Sequence, residues 1–111
     1  MMVGIVGLGL IGGSFAKVYF EAGETVLAFD QDRSVLDFAL MSGVVNGELT
    51  SENISQCDLV LVAIYPLAAV EYLKKMAPYI GEKPVVIDLC GIFFLPLISA
   101  AVYEIVFGVF G

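Results

Sequence analysis

Three glycines at the end of an apolar run place the tightest constraint on the fold of this chain. Residues 3–14 read VGIVGLGLIGGS, so that Gly7, Gly9 and Gly12 form the pattern G-x-G-x-x-G. The apolar residues before Gly7 predict a buried strand, and the residues from Leu10 onward follow a helical period. Glycines at a strand-to-helix junction predict a tight turn that lets the backbone approach a phosphate group closely.

Segments typical of strands and helices alternate along the following residues. Further strands are predicted at residues 25–29, 59–63 and 85–89, with a short edge strand near 44–45 or 48–50, and further helices at residues 34–42 and from Pro66 onward. This alternation predicts parallel βαβ units with right-handed crossovers. We therefore predict an α/β fold, a Rossmann-like doubly wound parallel sheet of strand order 3-2-1-4-5.

The spacing of apolar residues predicts which face of each helix packs on the sheet. On the first helix this face consists of Ile11, Phe15, Val18, Tyr19 and Ala22. On the second helix it consists of Leu36, Ala39 and Leu40, and Asp32 is the expected N-cap.

An acidic residue at the end of the second strand accompanies the glycine motif. Free N–H groups around Leu10 and Ile11 are expected to face the phosphates of a dinucleotide, helped by the helix dipole. Asp30 lies eighteen residues after Gly12, where a carboxylate accepts hydrogen bonds from the adenosine ribose and repels a 2′-phosphate. NAD is therefore the expected cofactor and NADP is disfavoured, a preference that the nearby cation of Arg33 weakens.

Each of these features also has a purely structural interpretation. The glycines would then serve only the tight turn and the packing of the helix, and Asp30 would be a helix cap or a solvated turn residue. The complete strand–turn–helix context favours the dinucleotide interpretation.

Charge and composition exclude several other functions. The net charge of −7 argues against binding to nucleic acid and to anionic membranes. The chain has two cysteines and no histidine, so neither a disulfide scaffold nor a metal site is expected. The sequence shows no signal peptide, and a reduced, cytoplasmic setting is the expectation.

The sequence resembles the N-terminal half of the prephenate/arogenate dehydrogenase family over residues 2–92. The resemblance is carried by VGIVGLGLIGGSFAK, AFDQD, DLVLVAIYP and VVIDLCGI. It implies an NAD(P)-dependent oxidoreductase of tyrosine biosynthesis, which oxidatively decarboxylates prephenate or arogenate. The implied cofactor contacts are Gly7, Gly9, Leu10, Ile11 and Gly12 at the pyrophosphate, Asp30 at the ribose, Ala63, Ile64, Tyr65 and Pro66 on the far side of the cleft, and Asp88 to Gly91 near the nicotinamide.

The chain departs from the family where the chemistry takes place. Gly91-Ile92-Phe93 stands where the family carries a Ser-x-Lys motif, and the histidine that takes the substrate proton has no counterpart. The helical C-terminal domain of the family is also absent. We therefore expect an NAD-binding domain that is not catalytic alone. The alternatives are a non-catalytic dinucleotide-binding or interaction module and another NAD-dependent reductase completed by a partner chain.

The C-terminal segment differs in character from the rest of the chain. Residues 1–91 are predicted to form the dinucleotide-binding domain, and residues 92–111 an apolar tail whose one charged residue is Glu104. Pro96 and Glu104 interrupt the tail, so a short helix at 95–101 and a sixth strand at 103–107 are predicted rather than a membrane span. A truncation or a shifted reading frame would produce such a tail, and self-association through it or through a bare sheet edge is an open expectation.

Two further polar residues, Cys90 and Asp88, are candidate reactive groups. Cys90 lies at the predicted mouth of the cleft, and a small buried thiol is the favoured interpretation because no histidine or lysine is at hand to form a thiolate. Asp88 ends a predicted strand, where a carboxylate serves either as a general base or, more commonly, as a turn or cap partner. No catalytic residue is therefore assigned.

Overall fold

Strands and helices alternate along the described part of the chain, as the sequence predicts. A computed structural model describes residues 1–89. The elements in chain order are β1 (Met2–Val6), α1 (Leu10–Glu21), β2 (Thr25–Phe29), α2 (Arg33–Met41), β3 (Gly47–Glu48), a 3₁₀ turn (Ile54–Gln56), β4 (Leu59–Val62), α3 (Pro66–Ile80) and β5 (Val85–Asp88).

The five described strands form one parallel sheet in the order β3-β2-β1-β4-β5. This order confirms the predicted Rossmann-like topology. Of the two locations predicted for the short edge strand, the structure supports the second, because β3 comprises Gly47 and Glu48. Since all described strands are parallel, their carboxyl ends lie along one edge of the sheet, which is where open α/β sheets bind ligands.

Each face of the sheet is covered by different helices. Val3 and Ile5 of β1 point to the face that packs against α1 and α2, together with Ala16 and Leu36. Val6 points to the opposite face, where the buried residues of α3 pack. Alternate β1 side chains therefore enter two separate cores, which explains why the strand has no polar residue.

The buried face of α1 differs from the predicted face. Gly12 and Ala16 are buried against the sheet, whereas Ile11, Phe15 and Val18 are 42, 37 and 62% exposed. Small residues let α1 approach the sheet closely, so Ile11, Phe15 and Val18 lie on the outer side, whereas Tyr19 of the predicted face is half-buried against the core. The prediction for α2 is confirmed, because Leu36 and Ala39 are buried.

The N-cap of α2 also follows the prediction. The Asp32 carboxylate accepts a hydrogen bond from the Ser34 N–H at 3.0 Å. This bond satisfies one of the donors that a helix leaves free in its first turn.

Some predictions fall on residues that the structure does not describe. These are the helix at 95–101, the sixth strand at 103–107, the boundary between residues 91 and 92, and Cys90 with Gly91. Within residues 1–89, no helix is long and apolar enough to cross a membrane.

The exposure pattern of α1 predicts different effects on stability for a substitution at a buried position and one at an exposed position. Ala16→Leu forces a larger side chain between the helix and the sheet, and we expect it to lower the free energy of unfolding by about 1–3 kcal/mol. Val18→Thr changes an exposed β-branched residue, and we expect a change within about 0.5 kcal/mol. Urea unfolding monitored by circular dichroism measures both. Strong destabilisation by Val18→Thr would favour the face predicted from periodicity over the observed one.

A buried hydroxyl on α3 predicts a stabilising substitution. Tyr72 packs its ring against Phe29, with the ring centroids 5.2 Å apart, and among the described residues its hydroxyl has no hydrogen-bond partner. An unpaired buried polar group is destabilising, so we expect Tyr72→Phe to raise the free energy of unfolding by about 1 kcal/mol. Tyr79→Phe, at a half-exposed position of the same helix, is the control and should leave stability unchanged. A loss of stability in Tyr72→Phe would show that the hydroxyl is paired.

Candidate functional site

A cleft of about 420 Å³ opens at the carboxyl edge of the sheet. It lies between the turns that follow β1, β2 and β4. Its lining residues are Gly7, Gly9, Leu10, Ile11, Asp30, Gln31, Ala63, Ile64, Tyr65 and Ala68. Eight of these ten residues, all but Gln31 and Ala68, are ones that the sequence predicts to bind a dinucleotide.

Gly7 forms the turn between β1 and α1. Its φ of +95° lies in the left-handed region that favours glycine. A Cβ atom at this position would lie 2.5 Å from the carbonyl oxygen of Ala63, and the Gly7 N–H donates a 2.7 Å hydrogen bond to the carbonyl of Phe29. Gly7 therefore fixes the start of α1 against both neighbouring strands.

The other two glycines of the motif have different surroundings. A Cβ on Gly12 would lie 1.8 Å from the carbonyl oxygen of Gly7, so only glycine allows α1 to pack this closely on the turn. A Cβ on Gly9 would meet no atom within 4 Å. Gly12 therefore serves the packing of the helix, whereas Gly9 leaves open space at the cleft.

The N-terminus of α1 offers backbone donors to a ligand. The first hydrogen bond of the helix runs from the Gly13 N–H to the Gly9 carbonyl at 2.7 Å, and no side chain caps the N-terminus. The N–H groups of Leu10 and Ile11 consequently have no acceptor within the helix. Together with the helix dipole they form an anion site that needs no lysine.

Asp30 is oriented by two backbone N–H groups. Its Oδ2 accepts a hydrogen bond from Leu8 N–H and its Oδ1 accepts one from Asp32 N–H, both at 2.8 Å. A carboxylate has about four lone-pair directions, so acceptor capacity remains for a ligand. The interaction with Leu8 also connects the end of β2 to the glycine turn, so Asp30 has a structural role that the sequence did not indicate.

The Arg33 guanidinium is paired with two carboxylates. It contacts Glu48 at 2.8 Å and Asp37 at 3.0 Å. The hydrogen bond to Glu48, followed by the charge of Asp37, raises the pKa of Arg33 above its usual value. Arg33 was predicted as a cofactor contact, but it does not line the cleft.

Three other predicted residues also lie outside the lining of the cleft. Gly12 lies behind the turn, and Pro66 occupies the first position of α3, next to the exposed Tyr65 at the rim. Asp88 ends β5 and is only 3% exposed. It is not among the described residues that line this cleft.

The remaining described residues supply little reactive chemistry. Burial, followed by the negative charge of Asp58, raises the pKa of the Cys57 thiol to about 11. This cysteine is therefore protonated and unreactive at neutral pH. Among residues 1–89, no three His, Cys, Asp or Glu side chains are grouped so that they could hold a metal ion.

Two residues of the cleft, Gln31 and Ala68, were not predicted from the sequence. Gln31 directly follows Asp30 at the end of β2, and its position alone could have identified it. Ala68 lies in the first turn of α3, where nothing in its chemistry marks it. Both residues also line a neighbouring cavity of about 330 Å³ between α3 and the segment that follows β3, so the site continues past the predicted ribose position.

Comparison with known families identifies one match that covers most of the chain. Residues 2–96 match the family described as the NAD binding domain of 6-phosphogluconate dehydrogenase. The match includes β1 to β5 and therefore the whole described sheet.

Three solved structures share the fold. Synechocystis arogenate dehydrogenase is 20% identical with a TM-score of 0.83. Prephenate dehydrogenase from A. aeolicus, in complex with hydroxyphenyl propionate and NAD⁺, is 22% identical with a TM-score of 0.77. Both are matched over 100% of this chain. An imine reductase from Streptomyces aurantiacus is 23% identical over 95% of this chain, with a TM-score of 0.70. The chain spans 38% of the length of each of these proteins, and identities this low establish the fold alone.

The different surroundings of Gly9 and Gly12 predict separable effects on binding and stability. Gly9→Ala places a methyl group in the open cleft at an allowed φ of −67°. It should change the free energy of unfolding by less than about 1 kcal/mol and weaken NAD binding about tenfold. Gly12→Ala should destabilise the fold by about 3 kcal/mol because the methyl group overlaps the Gly7 carbonyl. Thermal unfolding and calorimetric titration measure the two effects, and undiminished NAD binding by Gly9→Ala would contradict this assignment of the site.

Proposed function

Since the chain belongs to the family of NAD-binding domains described for 6-phosphogluconate dehydrogenase, we propose that it supplies the NAD-binding part of a dehydrogenase acting on prephenate or arogenate. NAD is its cofactor. The observation that carries the proposal is the uncapped N-terminus of α1, which opens onto the same cleft as the oriented carboxylate of Asp30.

The residues of the cleft fit the chemical groups of NAD. The N–H groups of Leu10 and Ile11 would bind the pyrophosphate in the space that Gly9 leaves open. Asp30 would accept hydrogen bonds from the ribose hydroxyls with the lone pairs that Leu8 and Asp32 do not use. Ala63, Ile64 and Tyr65 would form the opposite wall. The bound nicotinamide would supply the hydride acceptor.

Two observations favour prephenate or arogenate as the substrate class. The residues GLGLIGGS and the strand ends around Asp30 and Ala63 resemble the sequences of that family. The structures of an arogenate and a prephenate dehydrogenase share the fold over the whole chain. An imine reductase shares it as well, so the fold supports the cofactor more strongly than the substrate.

Among residues 1–89, no histidine or reactive thiol lines the cleft. The sequence contains no histidine, Cys57 is buried with a raised pKa, and Asp88 is buried and does not line the cleft. We therefore expect binding of NAD without turnover when this chain is alone. The same observations would suit a module that binds a dinucleotide and performs no chemistry, which is the second candidate function.

Calorimetric titration of NAD into Asp30→Asn tests the role of the carboxylate. We expect NAD affinity to fall about tenfold, because a charged acceptor of ribose hydrogen bonds becomes neutral, and the advantage of NAD over NADP to narrow. Asp58→Asn is a matched control, since Asp58 also accepts a backbone N–H, from Met2 at 2.8 Å, but lies at the opposite edge of the sheet. Equal losses of affinity in both variants would contradict a ribose contact at Asp30.

Fusion proteins test the substrate class and distinguish the two candidate functions. Residues 1–89 would replace the corresponding part of Synechocystis arogenate dehydrogenase and, separately, of the Streptomyces imine reductase. We expect NADH formation from arogenate or prephenate in the first fusion, measured by absorbance, and no NADPH- or NADH-dependent imine reduction in the second. Activity only in the imine reductase fusion would contradict the proposed substrate class, and activity in neither folded fusion would favour a module without chemistry.

A further inference from the structure

Arg33 occupies a position from which a cation could interact with a phosphate on the adenosine ribose. It is the first residue of α2 and lies three residues after Asp30. In dinucleotide-binding folds an arginine near the end of the second strand accommodates the 2′-phosphate of NADP. The sequence therefore leaves open whether Arg33 weakens the preference for NAD.

The structure shows that the Arg33 guanidinium is already engaged. Nη1 donates to Glu48 Oε1 at 2.8 Å, and Nε lies 3.0 Å from Asp37 Oδ1. The two carboxylates come from different elements, since Asp37 lies one turn along α2 and Glu48 lies on β3. An arginine held from two directions is restrained more strongly than one in a single surface pair.

The backbone of Glu48 is itself well fixed. Glu48 pairs with Ala28 of β2 in the sheet, and its carbonyl accepts a hydrogen bond from Asn53 Nδ2 at 2.9 Å. The next residue, Leu49, donates its N–H to the Ala28 carbonyl at 2.8 Å. Glu48 therefore presents its carboxylate from the carboxyl end of β3, beside β2, which Asp30 follows.

We propose that Glu48 is a specificity-determining residue that keeps the Arg33 guanidinium paired, in competition with a ribose 2′-phosphate, and thereby strengthens the preference for NAD over NADP. The inference rests on the proposed function, because it assumes that the adenosine ribose lies at Asp30. Asp30 repels a 2′-phosphate directly. Glu48 acts through Arg33, by withholding a cation that could neutralise that phosphate.

The size of the effect is bounded by the strength of the ion pairs. The side chains of Arg33, Asp37 and Glu48 are 63, 50 and 35% exposed, so water and salt screen their interactions. Exposed ion pairs of this kind change an equilibrium by roughly three- to fivefold. We therefore expect Glu48→Gln to lower the ratio of the NADP and NAD dissociation constants by about three- to fivefold, and by less at high salt.

Two further variants show whether the effect passes through Arg33. Glu52→Gln removes the same charge from an exposed residue of the loop that follows β3. It controls for the general rise in NADP affinity that results from making the protein less acidic. The double variant Arg33→Gln with Glu48→Gln also removes the arginine that Glu48→Gln alone would free from its ion pair. We expect no comparable change of the ratio in Glu52→Gln and loss of the gain in the double variant.

The experiment is a calorimetric titration of NAD and NADP into the full chain and the three variants at low and high salt. An unchanged ratio in Glu48→Gln, an equal change in Glu52→Gln, or a gain that persists in the double variant would each overturn the inference. NAD binding by the unmodified chain distinguishes these failures from failure of the proposed function. If the unmodified chain does not bind NAD, the proposed function is wrong and the inference falls with it.

Discussion

The contact between Gly12 and the carbonyl of Gly7 is the constraint on which the rest of the site depends. It places the backbone of α1 directly over the end of β1, at a distance that no side chain allows. The helix N-terminus therefore lies at the carboxyl edge of the sheet, where it lines the cleft. Gly7 connects this turn to β2 and β4 through its hydrogen bond to Phe29 and its contact with Ala63. The anion site is thus a consequence of packing at two glycines and needs no charged side chain.

Most of the architecture could be predicted from the sequence because several independent patterns indicate the same fold. Apolar runs, helical spacing and glycines recur in an order that suits only a parallel sheet with crossover helices. The face of α1 was predicted wrongly for a definite reason. Hydrophobic spacing identifies the face with the largest side chains, whereas this helix packs through Gly12 and Ala16, whose value lies in being small. A helix that packs on the sheet through small residues is therefore not identified by the spacing of its large hydrophobic residues.

The part of the site that the sequence did not reveal depends on residues distant along the chain. Arg33 was predicted to contact the cofactor, but a carboxylate on the two-residue strand β3 pairs with it, and it does not line the cleft. A strand this short has no period that would place Glu48 beside Arg33 in advance. Likewise, the bond from Leu8 to Asp30 spans twenty-two residues and becomes evident only once β1 and β2 are paired. Asp30 consequently stabilises the turn and faces the cleft with the same carboxylate.

In the proposed function, the backbone N–H groups that open α1 bind the phosphates of NAD. Amide chemical shifts recorded by NMR during a titration with NAD test this claim most directly, because they report on each N–H separately. We predict that the largest downfield shifts occur at Leu10 and Ile11, with smaller changes along the rest of α1. Saturable NAD binding that leaves these two amides unshifted, while amides elsewhere respond, would contradict the claim.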